Sequence, residues 1–235
     1  MTIEQQVLKE ILEIEWDMFH AVENIGGQAP CQQDHGTFEI MRSSQLLGWN
    51  EAIAESYLED LRRAQARGRN LMTEKYARMM EYTSPCEFRQ ISGSVPDLDK
   101  EAPRLIERLT ERSVHWMEEL AARYPHVMAG GRPIRSEGDN RFTPSFETYT
   151  RGELATYSVK TLELLEAYYL DMAADGKNPA ELILRHTAES SGFASLERAE
   201  DAQKARMEKG SSAASSRLGT ECDSLSREGT SATIT

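Results

Sequence analysis

Two charged residues, Glu15 and Lys75, occupy helix positions at which apolar side chains are expected. Glu15 precedes Phe19 by four residues, and a 3.6-residue repeat therefore puts its carboxylate in a core-facing stripe. Lys75 follows Leu71 at the same spacing. A buried charge needs a partner or a shifted pKa. Each residue is therefore either half of a structural ion pair or a functional group.

An acid–base role follows if Glu15 and Lys75 line one cavity. Burial raises the pKa of a carboxyl group and lowers that of an amine towards neutrality, which suits proton transfer. With Tyr76 beside Lys75, these three residues form the predicted catalytic set. Two alternatives stay open, because the Lys75 ammonium can snorkel to the surface and Glu15 can belong to a purely structural ion pair.

Polar residues on other predicted helices are the candidates for substrate binding. Arg42 lies beside an apolar stripe, where its planar fork of donors can hold a carboxylate or reach water from the helix edge. Tyr149 and Arg151 stand where a long loop meets a helix and can form the mouth of a pocket. The predicted binding set is Arg42, Gln45, Asn70, Tyr149, Arg151 and Tyr157.

The elements that position these residues are all predicted to be helical. Caps and breakers predict helices over about residues 2–24, 51–67, 70–82, 99–124 and 152–174, a second helix from about residue 37, and a last one opening at Asn178-Pro179. Residues 125–150 show no periodicity, but their aromatic content favours an ordered loop. We therefore expect an all-α fold, an irregular bundle of about six to eight helices with one long ordered loop.

The composition limits the classes of protein to which the chain can belong. Residues 210–235 are rich in Ser, Thr and Gly, which predicts a disordered tail after a single helical domain over residues 1–209. The formal net charge of −12 argues against nucleic-acid binding and against docking on anionic membranes. We find no spanning segment, no secretory signal and no cysteine pairing pattern. We expect a cytoplasmic protein whose partner is a small-molecule substrate.

Motifs for bound cofactors are missing from the sequence. There is no P-loop, no GxGxxG, no GxSxG and no HExxH or ExxH pair. Nucleotide-cofactor and α/β-hydrolase chemistry are therefore not expected. The cofactor stays unknown: a metal held by carboxylates alone is open, and no residue is assigned to one.

Several long segments resemble a single family. The resemblance is carried by EWDMFHAVENIGGQAPCQQD at 15–34, TFEIMRSSQLLGW at 37–49, GRNLMTEKYARMMEYTSP at 68–85 and SFETYTRGELATYS at 145–158. These segments resemble the family catalogued as domain of unknown function 4125, over roughly residues 5–175. The resemblance implies no established activity. It implies that every candidate catalytic and binding residue named above belongs to the family pattern.

Two functions from different classes are compatible with these observations. The first is an enzyme acting on a small polar, amino-acid-like metabolite, with Glu15 as general acid or base and Lys75 and Tyr76 handling protons or an oxyanion. Lyase chemistry is favoured over hydrolysis or transfer. The second is a non-catalytic helical interaction or accessory module. The two differ in whether Glu15 and Lys75 converge on one polar cavity.

Overall fold

The computed structural model describes residues 3–23, 27–140 and 143–209, and every regular element within these ranges is helical. This confirms the all-α class; the predicted tail, 210–235, lies outside the described residues. We number the α-helices α1 Gln5–His20, α2 His35–Leu46, α3 Glu51–Ala66, α4 Leu71–Thr83, α5 Pro85–Ile91, α6 Ala102–Arg123, α7 Pro125–Met128, α8 Phe146–Leu154, α9 Val159–Ala174, α10 Pro179–Ser190 and α11, residues 196–209.

Side-chain caps fix the starts of several helices where the sequence predicts them. The Asn50 side chain accepts a hydrogen bond from the Ile53 amide at 3.0 Å at the start of α3. Asn178 caps α10 in the same manner and is followed by Pro179 at the first helical position. Asparagine oxygens satisfy the otherwise unpaired amides of a first turn, so these boundaries are readable from the sequence.

The described ranges contain eleven α-helices, more than the predicted six to eight. The prediction of one helix over residues 152–174 is wrong, because α8 ends at Leu154 and Ser158 caps a new helix, α9. The Asp60 carboxylate accepts the Ser158 amide at 2.9 Å and stabilises the turn between them. The predicted start of α6 at Asp99 is also early, since the helix begins at Ala102. Short helices α5 and α7 add to the count.

The segment between α7 and α8 is ordered in its described part. The amide of Phe146 donates to the Pro133 carbonyl at 2.7 Å, and that of Glu147 to the Ile134 carbonyl at 3.0 Å. Arg135 binds Glu118 of α6 through two hydrogen bonds. These contacts hold the start of α8 against the body of the protein.

None of the described helices combines the length and apolar character needed to cross a membrane.

Two apolar clusters form the core of the described chain. The larger joins α1, α3, α4, the first half of α6, and α9, with fully buried side chains such as Ile11, Leu61 and Leu162. The smaller joins the end of α6 to α10 and α11 through residues such as Leu120 and Leu196. Helix α8 packs on α4 and α6, and α2 packs on α1 and α10. The polar residues of interest lie at the edge of the larger cluster, where α1, α2, α4 and α8 approach one another.

Candidate functional site

Glu15 is fully buried and is closed by partners from two other helices. The Nε–H and Nη2–H groups of Arg42 donate to its two oxygens at 2.6 Å each, and the Tyr57 hydroxyl donates to Oε1 at 2.5 Å. We call Glu15, Arg42 and Tyr57 the inner cluster. A bidentate arginine and a third donor satisfy most of the hydrogen-bonding capacity of the carboxylate.

Glu153, a residue outside the predicted catalytic and binding sets, links Arg42 to Lys75. The Nη1–H of Arg42 donates to Glu153 Oε1 at 2.7 Å, and Lys75 Nζ donates to Oε2 at 2.8 Å. The Tyr157 hydroxyl adds a third hydrogen bond at 2.9 Å. Glu15 and Lys75 therefore belong to one network, but they are joined through Arg42 and Glu153 and have no direct contact. Its two carboxylates and two cations balance in charge.

The network reverses the pKa shift that burial alone predicts for Lys75. Burial is the largest single influence and lowers the pKa of this amine, but Glu153, together with smaller contributions from Tyr149 and Tyr76, outweighs it, and the pKa of Lys75 is raised. Burial raises the pKa of Glu153, but the charges of Arg42 and Lys75 outweigh it, and the pKa is lowered. The prediction that the pKa of the Lys75 amine is lowered towards neutrality is therefore wrong. Both groups keep their charges at neutral pH.

The network reaches solvent at its other end. The Glu153 side chain is 14% exposed, and the Lys75 ammonium lies 3.6 Å from the centre of the Tyr149 ring, which Arg132 covers at 4.5 Å. We call Lys75, Tyr76, Tyr149 and Glu153 the outer cluster. Burial, with smaller contributions from nearby groups, raises the pKa of Tyr76 to about 12.

The hydroxyls of Tyr76 and Tyr149 make no hydrogen bond within the described ranges of the chain. Both side chains are partly buried. Tyr57 and Tyr157 differ from them, since each donates to a carboxylate of the network. Hydroxyls at the edge of a buried charged network that lack internal partners are available to a ligand.

Gly152 sets the distance between α8 and α4. A Cβ atom at this position would lie 2.8 Å from Met79 Cγ and 3.0 Å from the carbonyl oxygen of Lys75. Because glycine has no Cβ, the two helices approach closely enough for Glu153, the next residue, to reach Lys75.

Asn70 and Gln45, two further members of the predicted binding set, also have structural partners. Asn70 accepts the Thr73 amide at 3.0 Å as the cap of α4, and its Nδ2 donates to the Met18 carbonyl at 2.7 Å. Gln45 lies at the network, where its Oε1 accepts a hydrogen bond from Arg42 Nη1 at 2.6 Å. Asn70 therefore ties α4 to α1, and Gln45 helps to fix the guanidinium.

Arg151 lies away from the network. Its Nη2 donates to Glu107 and to Glu147 at 3.1 Å each, and the guanidinium carbon lies 5.4 Å from the centre of the Tyr82 ring. The α8 register turns Arg151 towards α6 and Glu153 towards α4. The structure thus brings together Glu15, Arg42, Gln45, Lys75, Tyr76, Tyr149 and Tyr157, and leaves Arg151 and Asn70 outside.

The sequence contained a signal for Glu153 but none for Tyr57 as a partner of Glu15. Glu153 stands four residues from Tyr149 and four from Tyr157, two residues already selected as binding candidates. Tyr57 fits an ordinary apolar stripe on α3, and its partner Glu15 is 42 positions away. Among the described residues, no three His, Cys, Asp or Glu side chains converge as a ligand set for a metal ion.

The chain was compared with known proteins. No curated protein and no solved structure matches it. The model of one family, described as "Protein of unknown function (DUF4125)", matches residues 5–201, a range that contains both clusters and extends into α11. That range is most of the chain. The chain therefore belongs to the DUF4125 family.

Proposed function

We propose that the chain is an enzyme that binds a small, amino-acid-like metabolite at the outer cluster. The supporting observation is the pair of unpartnered hydroxyls, on Tyr76 and Tyr149, beside the charged Lys75 ammonium. One cation and two free O–H donors suit a carboxylate. Glu153 accepts three hydrogen bonds of about four that a carboxylate can accept, which leaves one position to accept a proton from the substrate.

The charge states favour a particular division of chemical roles. Because Glu15 is closed by the inner cluster, we assign it the positioning of Arg42 in place of proton transfer. Lys75 stabilises negative charge that develops on the substrate carboxylate, and Tyr76 or Tyr149 donates a proton to the departing group. An elimination needs both roles and also a base that accepts the proton lost from carbon. Glu153, which has one acceptor position left, is the group that we assign to this third role. Lyase chemistry is therefore the reaction class that we propose first.

The proposed setting is the cytoplasm, with a small-molecule partner and neither nucleic acid nor membrane. The two cysteines in the described ranges, Cys31 and Cys86, are free thiols, which suits a reducing compartment. The net charge of −12 supports the exclusion of polyanionic partners.

The test uses a variant that removes only the two free hydroxyls. Tyr76→Phe/Tyr149→Phe breaks no internal hydrogen bond, so we expect a melting temperature close to that of the wild type. We expect at least one member of a panel of amino acids and 2-hydroxy acids to stabilise the wild type, and the double variant to bind it about tenfold more weakly. Tyr82→Phe, which removes a hydroxyl on an exposed ring elsewhere, is the matched control.

Two results would contradict the proposal. One is a panel in which no compound shifts the melting temperature of the wild type. The other is a ligand whose affinity is the same for the double Phe variant, the Tyr82→Phe control and the wild type, because binding would then not involve the outer cluster.

A non-catalytic accessory module is the second candidate, and the closed inner cluster favours it. In that case the network serves only to hold α1, α2, α3 and α8 together. Glu15→Gln then lowers the free energy of unfolding by several kcal/mol, while Tyr76→Phe/Tyr149→Phe leaves every measured property unchanged. Loss of ligand binding in the double Phe variant would exclude this candidate.

A further inference from the structure

We infer that the chain has a second binding site, for a small oxyanion, in a cavity of about 160 Å³. The cavity lies between the end of α3, the face of α4, the segment before α6 and the turn between α8 and α9. Four arginines line it: Arg63, Arg67, Arg69 and Arg78. Tyr157 forms part of its wall and donates to Glu153, so the cavity lies next to the ionic network without being part of it.

Arg78 is the residue that points to a ligand. Its Nε is buried and has no hydrogen-bond partner in the part of the chain that the structure describes. Its Nη2 donates to the Pro96 carbonyl at 2.6 Å, and the guanidinium forms no ion pair within the described ranges. A buried N–H group without a partner is costly. The Pro96 carbonyl orients the guanidinium. Its Nη1 group has no hydrogen-bond partner among the described residues and, unlike Nε, is not fully enclosed, so an oxyanion in the cavity can accept a hydrogen bond from it.

The other arginines of the cavity differ in how fully they are paired. Arg69 is held by Glu74 through two hydrogen bonds of 2.8 and 2.6 Å. Arg67 is exposed, and its side chain makes no ion pair or hydrogen bond within the described residues. Arg63 is paired with Glu59 at 3.4 Å and with Asp60 at 3.5 Å. Arg78 and Arg67 are therefore the two arginines of the cavity without an ion pair among the described residues, and Arg69 is a fixed part of the wall.

Three carboxylates line the cavity as well, and their partners determine whether they compete with a ligand. Asp60 is engaged by the Ser158 amide at 2.9 Å and the Thr161 hydroxyl at 2.7 Å. Asp97 and Asp99 are exposed. Neither comes within ion-pair distance of a cation in the described chain. The charge of Asp97 acts on Arg78, although less than the charges of Glu74 and Glu81 do, so removing the Asp97 charge favours an anion.

The size of the cavity limits the ligand. At roughly 30 Å³ for each water molecule, the cavity has room for about five of them and hence for a phosphate or a short carboxylate. The planar fork of a guanidinium matches either oxyanion. The shared chemistry is therefore an oxyanion of few heavy atoms, whether it is free phosphate or the head of a small carboxylate.

The test is a titration of the full chain with inorganic phosphate and, separately, with acetate, at constant ionic strength with chloride as the baseline. We expect at least one of the two to raise the melting temperature above the chloride baseline. Arg78→Lys keeps the charge but loses the fork, and should weaken apparent affinity about tenfold. Asp97→Asn should strengthen it. Arg62→Gln, which removes an exposed arginine on another face, should leave it unchanged.

Each outcome supports or overturns the inference. A response to phosphate alone supports a phosphorylated ligand, one to acetate alone supports a carboxylate, and one to both supports a general oxyanion site. The inference is overturned if neither anion acts beyond chloride, or if Arg78→Lys binds as well as the wild type. If Arg78→Lys does not fold, Arg67→Gln decides, because that exposed side chain has no internal bonds to lose.

Discussion

Arg42 and Arg78 both have buried guanidinium atoms, and they differ in the partners of those atoms. Arg42 is 6% exposed and contacts two carboxylates, Glu15 and Glu153. Arg78 contacts a single backbone carbonyl, and its Nε is buried without a partner. A fully paired arginine fixes the elements around it. An arginine with spare donors beside a cavity marks the place of a partner that is not part of the chain.

The largest effect on stability is expected at Arg42, the fully paired arginine. Arg42→Met leaves two carboxylates without their common cation, and we expect the free energy of unfolding to fall by about 3–5 kcal/mol. Urea denaturation measures it. Arg62→Met breaks an exposed pair with Glu10 and should have little effect. A similar, small loss in both variants would show that the inner cluster does not hold the helices together.

Gly152→Ala tests whether the α4–α8 distance matters for the network. The added methyl group meets Met79 and the Lys75 carbonyl, and we expect a loss of about 1–3 kcal/mol by urea denaturation. Gly93→Ala, at a position with open space around it, is the control and should be neutral. An equally stable Gly152→Ala protein would mean that α8 can shift without breaking the contact between Glu153 and Lys75.

The charge states of the network predict how stability depends on pH. Because the folded-state pKa of Glu153 is lowered, its contribution is present above the unfolded-state value of about 4.3 and is lost as pH falls further. Lys75 has a raised pKa, so its contribution is complete below about 10.4 and is lost as pH rises through the folded-state value. Denaturation midpoints should therefore fall at both extremes. Glu153→Gln should flatten the acid limb, and an unchanged limb would contradict the assignment.

The smallest effect on stability is expected at Arg78, the arginine that contacts only a backbone carbonyl. Without an anion, Arg78→Met removes a buried donor without a partner, which stabilises the folded state, and one hydrogen bond to Pro96, the loss of which destabilises it. We expect the free energy of unfolding to change by less than about 1 kcal/mol. The same substitution at Arg42 should cost several times more. A large loss for Arg78→Met in anion-free buffer would show that this arginine is structural after all.

Much of the fold follows from local patterns. The spacing of apolar residues and the caps Asn50 and Asn178 predicted helices α1 to α4 and the start of α10. The break between α8 and α9 was missed because it depends on Asp60, which lies 98 positions from Ser158. Periodicity continues through such a break, so local sequence does not reveal it.

By itself, the sequence determined that Glu15 and Lys75 lie on core-facing stripes, because helical spacing fixes the face on which a residue lies. The tertiary structure decided that the Lys75 side chain stays buried instead of snorkelling to the surface. Only the tertiary structure decided their partners. Arg42 lies 27 positions from Glu15, and Glu153 lies 78 from Lys75. Spacing defines a face of one helix, whereas an ion pair requires two helices to meet at a given depth and rotation. That meeting depends on the packing of the whole core, including the absence of a side chain at Gly152.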